Sequence, residues 1–110
     1  GKEDGKLDFS LPASALHAII RACNPWPKAY GMLSGSPLYI TGVWGSAFDE
    51  AEEAAEAPGT VVGVVKGRGL KIATGKGYLY ASKVLPPARK EMDALSYVNG
   101  NRAILGSVLE

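Results

Sequence analysis

The chain of 110 residues has one cysteine, Cys23, and one histidine, His17. A lone thiol excludes an internal disulfide and suits a reducing compartment. One Cys and one His cannot supply the four ligands of a structural zinc site. No apolar run approaches the ~18 residues of a membrane span, and the first residues are polar and charged rather than a leader. No G-x-x-x-x-G-K-[ST] occurs, neither glycine turn completes G-x-G-x-x-G, and there is no nucleophile elbow. The expectation is a cytoplasmic, non-catalytic domain with no membrane partner, no metal and no cofactor of its own.

What is present is ordinary for a globular chain: 46% hydrophobic residues, 21% charged and a net charge of +1. The length allows one domain with a modest core. The charge is segregated. Asp49, Glu50, Glu52, Glu53 and Glu56 follow one another with no basic residue between them. From Ala57 to Lys90 there is no acid, but there are Lys66, Arg68, Lys71, Lys76, Lys83, Arg89 and Lys90. Such separation makes a local field that the net charge hides.

Residues 1–8 read as the remnant of an interdomain linker, and residues 9–110 as the domain; Gly1 in place of Met reads as part of a longer protein. Ser10 is a candidate N-cap, with Pro12 in the first turn. Leu16, Ile19, Ile20 and Cys23 fall at i, i+3, i+4 and i+7, one face of a helix. His17 lies beside that face and reads as a boundary residue, and Cys23 as an inert core thiol. Asn24-Pro25-Trp26-Pro27 is a stiff corner, since each proline fixes φ and excludes helix before it. Trp26 has the bulk to pin that corner to a core.

Strands are expected at Ala29–Leu33 and Pro37–Val43, joined by the Ser34-Gly35-Ser36 turn, with Gly45-Ser46 breaking the pattern. The acidic stretch 47–57 has no apolar stripe and reads as an exposed, mobile loop with some helical tendency. Further strands are expected at Thr60–Val65, Leu70–Thr74 and Tyr78–Leu85, connected by glycine turns. In the last of these, Leu79, Ala81 and Lys83 share one face, opposite Tyr78, Tyr80 and Ser82. Asp93 can cap a short helix stopped by Gly100, and Ile104, Leu105, Val108 and Leu109 form an apolar tail that packs back. Short strands and 14 glycines point to a mainly β, barrel-like fold.

Lys66, Arg68 and Lys76 in turns, and Arg89 and Lys90 after the last strand, can reach a phosphate backbone or simply solubilise the surface. Tyr78 and Tyr80 can stack on unpaired bases or pack inside the barrel.

Lys2-Glu3-Asp4-Gly5, Asp8-Phe9-Ser10, Ile20-Arg21-Ala22 and Asn24-Pro25-Trp26-Pro27, and more loosely the segments 57–61, 73–80 and 97–100, resemble the C-terminal domain of methionyl-tRNA formyltransferases. The resemblance implies an open, OB-like Greek-key β-barrel with an N-terminal helix and a short C-terminal helix. It also implies an N-terminal catalytic formyltransferase domain, which uses 10-formyltetrahydrofolate to formylate initiator Met-tRNA in translation initiation. The tRNA-binding residues it suggests are Lys28, Lys66, Arg68, Lys71, Lys76, Lys83, Arg89 and Lys90. Lys28 stands where the family usually has glycine. In the family's Gln…Gly-Lys-Lys segment, Leu85 replaces the glutamine and Ala88 the glycine. Sugar-nucleotide formyltransferases and formyltetrahydrofolate hydrolases carry similar domains without binding tRNA, so a bracing or dimerising module is the alternative.

Overall fold

The computed structural model describes residues 5–49 and 52–110. Half of the expected linker, residues 1–4, and Glu50 and Ala51 of the acidic stretch lie outside them. Helix α1 spans Ala13–Cys23, followed by strands β1 Ala29–Leu33, β2 Ser36–Asp49, β3 Val61–Val65, β4 Gly69–Ala73, β5 Tyr78–Leu85 and β6 Met92–Asp93. Helix α2 covers Ala94–Gly100, and a single 3-10 turn covers Arg102–Ile104. Among the described residues no helix is long and apolar enough to cross a membrane.

The strands form one antiparallel sheet in the order β1-β2-β5-β4-β3, with β6 on β5. The β1–β2 hairpin and the β3–β4–β5 meander are joined by a connection that passes two strands, the Greek-key arrangement. This is the expected mainly β, open barrel-like fold with a helix near each end of the chain. The inner face of the sheet and the apolar faces of both helices share one core, built around Leu16, Ile20, Ile40, Leu70, Ile72 and Leu79. The helical stripe read from the sequence faces that core, with Leu16 and Ile20 fully buried and Ile19 and Cys23 packed at its edge.

Strands β1 and β3 do not pair with each other. The chain's last residues span the gap between them. Met32 and Glu110 exchange two backbone hydrogen bonds of 2.8 and 2.9 Å on the β1 side. On the β3 side, Val61 donates to the Ser107 carbonyl, Gly106 to that of Val61, and Leu109 to that of Gly59. Gly59 has φ +93°, and a Cβ there would overlap the Leu109 carbonyl. Of the apolar tail, Ile104 and Leu109 are buried, whereas Leu105 and Val108 stay largely exposed.

Several local expectations are corrected. Ser10 does not cap α1. Asp8 takes both the Ser10 amide (3.0 Å) and its hydroxyl (2.6 Å), and the Ala13 amide donates instead to the Lys76 carbonyl on the β4–β5 turn. Strand β2 continues through Gly45-Ser46 to Asp49, because its partner β5 supplies a ladder as far as Tyr78. Trp26 pins nothing: 74% of its surface is exposed. Both prolyl bonds of that corner are cis. The Asp93 cap is as expected, with its Oδ1 accepting from the Ser96 amide at 2.8 Å. That bond holds the Asp93 carboxyl below the usual carboxylate pKa.

Leu109 carries the strap across the gap, so Leu109→Ala is expected to cost about 2–4 kcal/mol, the range for emptying a fully buried leucine site. Urea unfolding followed by circular dichroism measures it. A loss below 1 kcal/mol would show that the strap is not needed to hold the two edges.

Candidate functional site

The outer face of the sheet carries a second, smaller apolar cluster. Ala73, Tyr78 and Tyr80 are its buried members, with Trp44, Val62, Val65 and Ala54 packed on them. Tyr78 and Tyr80 are each only 3% exposed, so neither offers a ring to an unpaired base. The stacking role is withdrawn and the packing role kept. Trp44 and Tyr80 meet edge-to-face, centroids 5.6 Å apart and planes at 84°, the geometry favoured by the ring quadrupoles.

Two of the expected basic residues lie on these rings. The Arg68 guanidinium carbon is 4.0 Å from the Trp44 centroid and 5.3 Å from that of Tyr80. Lys71 Nζ is 4.1 Å from the Tyr78 centroid. The described part of the acidic stretch covers the Tyr78 end: the Tyr78 hydroxyl donates to Glu56 Oε1 (2.8 Å) and accepts from the Ala55 amide (3.2 Å). Glu52 and Glu53 are exposed, but this segment is docked by its backbone and by Glu56, which corrects the expectation of a free loop.

The remaining basic residues separate by place. Lys66 and Arg68 occupy the β3–β4 turn, and Arg89 and Lys90 the β5–β6 connection. Lys83 is opposite Gly42 and Asp93. In the antiparallel ladder Leu70 is level with Ala81, so the start of β4, the end of β5 and the connection after it belong to one end of the sheet. Lys76 lies at the other end of β4, in the turn whose carbonyl receives α1. Lys28 precedes β1 and is half-buried.

Lys83 does not share the inner face with Ala81. The ladder to β2 shifts register at Gly42–Val43, and Ala81 and Val84 both enter the core. That change of parity turns Lys83 outward, where its ammonium lies 3.9 Å from Glu91. A strictly alternating reading cannot anticipate a bulge.

Missed by the sequence reading is the tie between α1 and this face. Arg21 Nε donates to His17 Nδ1 at 3.1 Å, which leaves the proton on Nε2, 3.2 Å from the Trp44 carbonyl. His17 is therefore a buried brace for β2 rather than a loose boundary residue.

Lys28 and Ala88 hold left-handed backbone, φ +65° and +59°. These are the two positions at which the resembled pattern has glycine, the residue without a Cβ penalty there. Ala88→Gly is expected to stabilise the chain by about 0.5–1 kcal/mol, read as a higher urea midpoint at unchanged slope. An unchanged or lower midpoint would contradict the strain.

Tyr78 gives a second test. The Ala55 amide favours its phenolate, but the bond to Glu56, burial and the charges of Glu56 and Glu52 outweigh it and raise its pKa above the ordinary 10.0. A phenol raised by folding keeps its proton where the unfolded chain has lost it. Its contribution to stability is complete below the unfolded pKa and is lost as pH rises through the folded value. Alkaline titration at the phenolate absorbance is expected to show Tyr78 ionising late. Tyr78→Phe removes that part, leaves the late ionisation of buried Tyr97, and costs about 1 kcal/mol in lost hydrogen bonding. A titration curve unaltered in its late part by Tyr78→Phe would contradict the hydrogen bond to Glu56.

Comparison with known proteins gives a consistent picture. The family described as "Formyl transferase, C-terminal domain" matches residues 1–102. A methionyl-tRNA formyltransferase of Symbiobacterium thermophilum is 36% identical over 104 residues, covering 94% of this chain and 31% of the relative. One from Solibacter usitatus is 40% identical over 101 residues, covering 92% and 30%. The chain thus spans about a third of the length of these relatives.

Proposed function

We propose, from the premise that the chain belongs to the formyl transferase C-terminal domain family, that it holds tRNA for a methionyl-tRNA formyltransferase. In this reading a separate catalytic domain moves the formyl group from 10-formyltetrahydrofolate to the methionine amino group of the initiator tRNA. The domain described here supplies no reacting group. Its Lys and Arg side chains contact phosphates and orient the acceptor end.

The supporting observation is the gathering of Lys66, Arg68, Lys83, Arg89 and Lys90 at one end of the sheet, away from the carboxylates on Tyr78. Four of these five side chains are exposed and Arg68 is half-exposed. The excess of positive charge at this end, five basic side chains against Glu91 beside Lys83 and the capping Asp93, suits a polyanion.

Binding of initiator tRNA at two salt concentrations tests the reading. With ~4 phosphates contacted, log K should fall against log[salt] with a slope of about −3 to −4. Affinity is expected to be weak, because the domain is about a third of its relatives' length. Salt-independent binding, or none at high protein concentration, would sink the reading. One observation favours a bracing module instead: the Trp26 ring, 74% exposed between two prolines, offers a stiff apolar contact to another protein surface. Reversing the charges of Arg68, Lys76 and Arg89 together separates the two, since a bracing module would keep full-length formylation of tRNA intact.

A further inference from the structure

We infer that Arg68 is the domain's principal phosphate-gripping residue and that Trp44 is the residue that positions it. The inference rests on the tRNA reading above and sharpens it from a patch to one prearranged side chain.

Arg68 differs from its basic neighbours in being held before any ligand arrives. Its turn is fixed by the Arg68 amide bonded to the Val65 carbonyl at 2.9 Å and by Gly67 at φ +84°. Gly69, at φ +122°, presses against the Ala81 carbonyl of β5 so closely that a Cβ would overlap it. From that anchored turn the side chain crosses Tyr80 and lies over Trp44. Trp44 is itself fixed, its ring by the edge-to-face contact with Tyr80 and its backbone carbonyl by the bond from His17 Nε2, whose Nδ1 accepts from Arg21. A guanidinium held over a ring by cation–π attraction does not spend its N–H donors on that contact, so the fork stays available to an anion. Two parallel N–H bonds from that fork match two phosphate oxygens, and the rotamer freedom lost on binding has already been surrendered. Among the described residues, no hydrogen bond or ion pair engages the Arg68 guanidinium.

The other candidates are compromised. Lys71 sits over Tyr78, whose hydroxyl holds Glu56. Lys83 faces Glu91. Lys76 is at the far end of the sheet, and Lys28 is half-buried. Beside Arg68 a concavity of about 350 Å³ opens between the β3–β4 turn and α2, with Lys66, Ser82, Asp93 and Leu95 in its wall. The Asp93 carboxylate there is engaged at both oxygens by Ser96, and its charge directs a phosphate to the Lys66–Arg68 side.

The test measures initiator tRNA affinity and salt slope for Arg68→Gln, Arg68→Lys, Trp44→Leu, Trp44→Phe and the double variant Arg68→Gln/Trp44→Leu. Arg102→Gln, an exposed charge outside the patch, is the control. Arg68→Gln is expected to weaken binding about tenfold and flatten the salt slope by about one. Arg68→Lys keeps the charge and the fold and loses the fork, so a threefold or greater loss is expected. Trp44→Leu removes no charge yet should weaken binding severalfold, Trp44→Phe should restore most of it, and in the Arg68→Gln background Trp44→Leu should add nothing.

If the wild type binds and Arg68→Gln or Arg68→Lys behaves like Arg102→Gln, the assignment of Arg68 is overturned while the tRNA reading stands. Additive losses in the double variant overturn the positioning role of Trp44. A wild type that fails to bind overturns both readings. Without tRNA, the Arg68 Nε–H resonance should be shifted by the indole ring current and return toward its ordinary position in Trp44→Leu; no shift in the wild type would overturn the stack itself.

Discussion

Everything in this fold depends on how two unpaired edge strands are closed. β1 and β3 each offer a row of backbone donors and acceptors, and an open edge invites pairing with other chains. The strap formed by residues 106–110 answers both rows at once, through Met32 on one side and Gly59 and Val61 on the other. It fits only where the backbone can be approached. Gly59 leaves space for the Leu109 carbonyl, and Gly31 for the Phe9 ring and the Leu109 side chain. The strap bonds to residues far from it in sequence, and Leu109 adds its side chain to the core between the two edges.

With the inner face committed to that core, the outer face is what the sheet can offer to a partner. It is divided along β5. At the Tyr78 end, the acidic segment turns an aromatic surface into a covered one, with Glu56 on the hydroxyl of the ring that Lys71 lies over. At the Tyr80 end, Trp44 and Arg68 leave a cationic edge open. The charge separation visible along the sequence is thus partly undone in space: a run without acids includes Lys71 and Lys83, yet the fold brings Glu56 near the first and Glu91 beside the second.

Much of this was legible in the residues. β5 was bounded correctly because a glycine turn precedes it and Pro86-Pro87 follows it, both breaking the strand for local reasons. Asp93 was legible as a cap because capping is a contact within one turn. What escaped was set by partners distant in sequence. β2 runs on past Val43 because β5 pairs with it. Lys83 turns out because a bulge shifts the register. Ser10 yields its cap role to Asp8 nearby and to the Lys76 carbonyl across the chain. Trp26 looked like a core residue from its size alone, and size does not say on which side of a corner a ring falls. The tryptophan that does organise a site, Trp44, carried no local signal, since its partners Arg68, Tyr80 and His17 come from three other elements.

The β3–β4 hairpin is held differently at its two ends. At its base, β3 is held by three backbone hydrogen bonds to the strap. At its tip the cross-strand constraint is different: Gly69 against β5, and a guanidinium against two rings. Cation–π contacts of this kind contribute about 0.5–2 kcal/mol, and with the close approach of Gly69 to β5 they hold the tip in one arrangement. In the reading proposed above, a phosphate would meet a guanidinium already seated over the indole, so neither the tip nor the barrel behind it would have to rearrange.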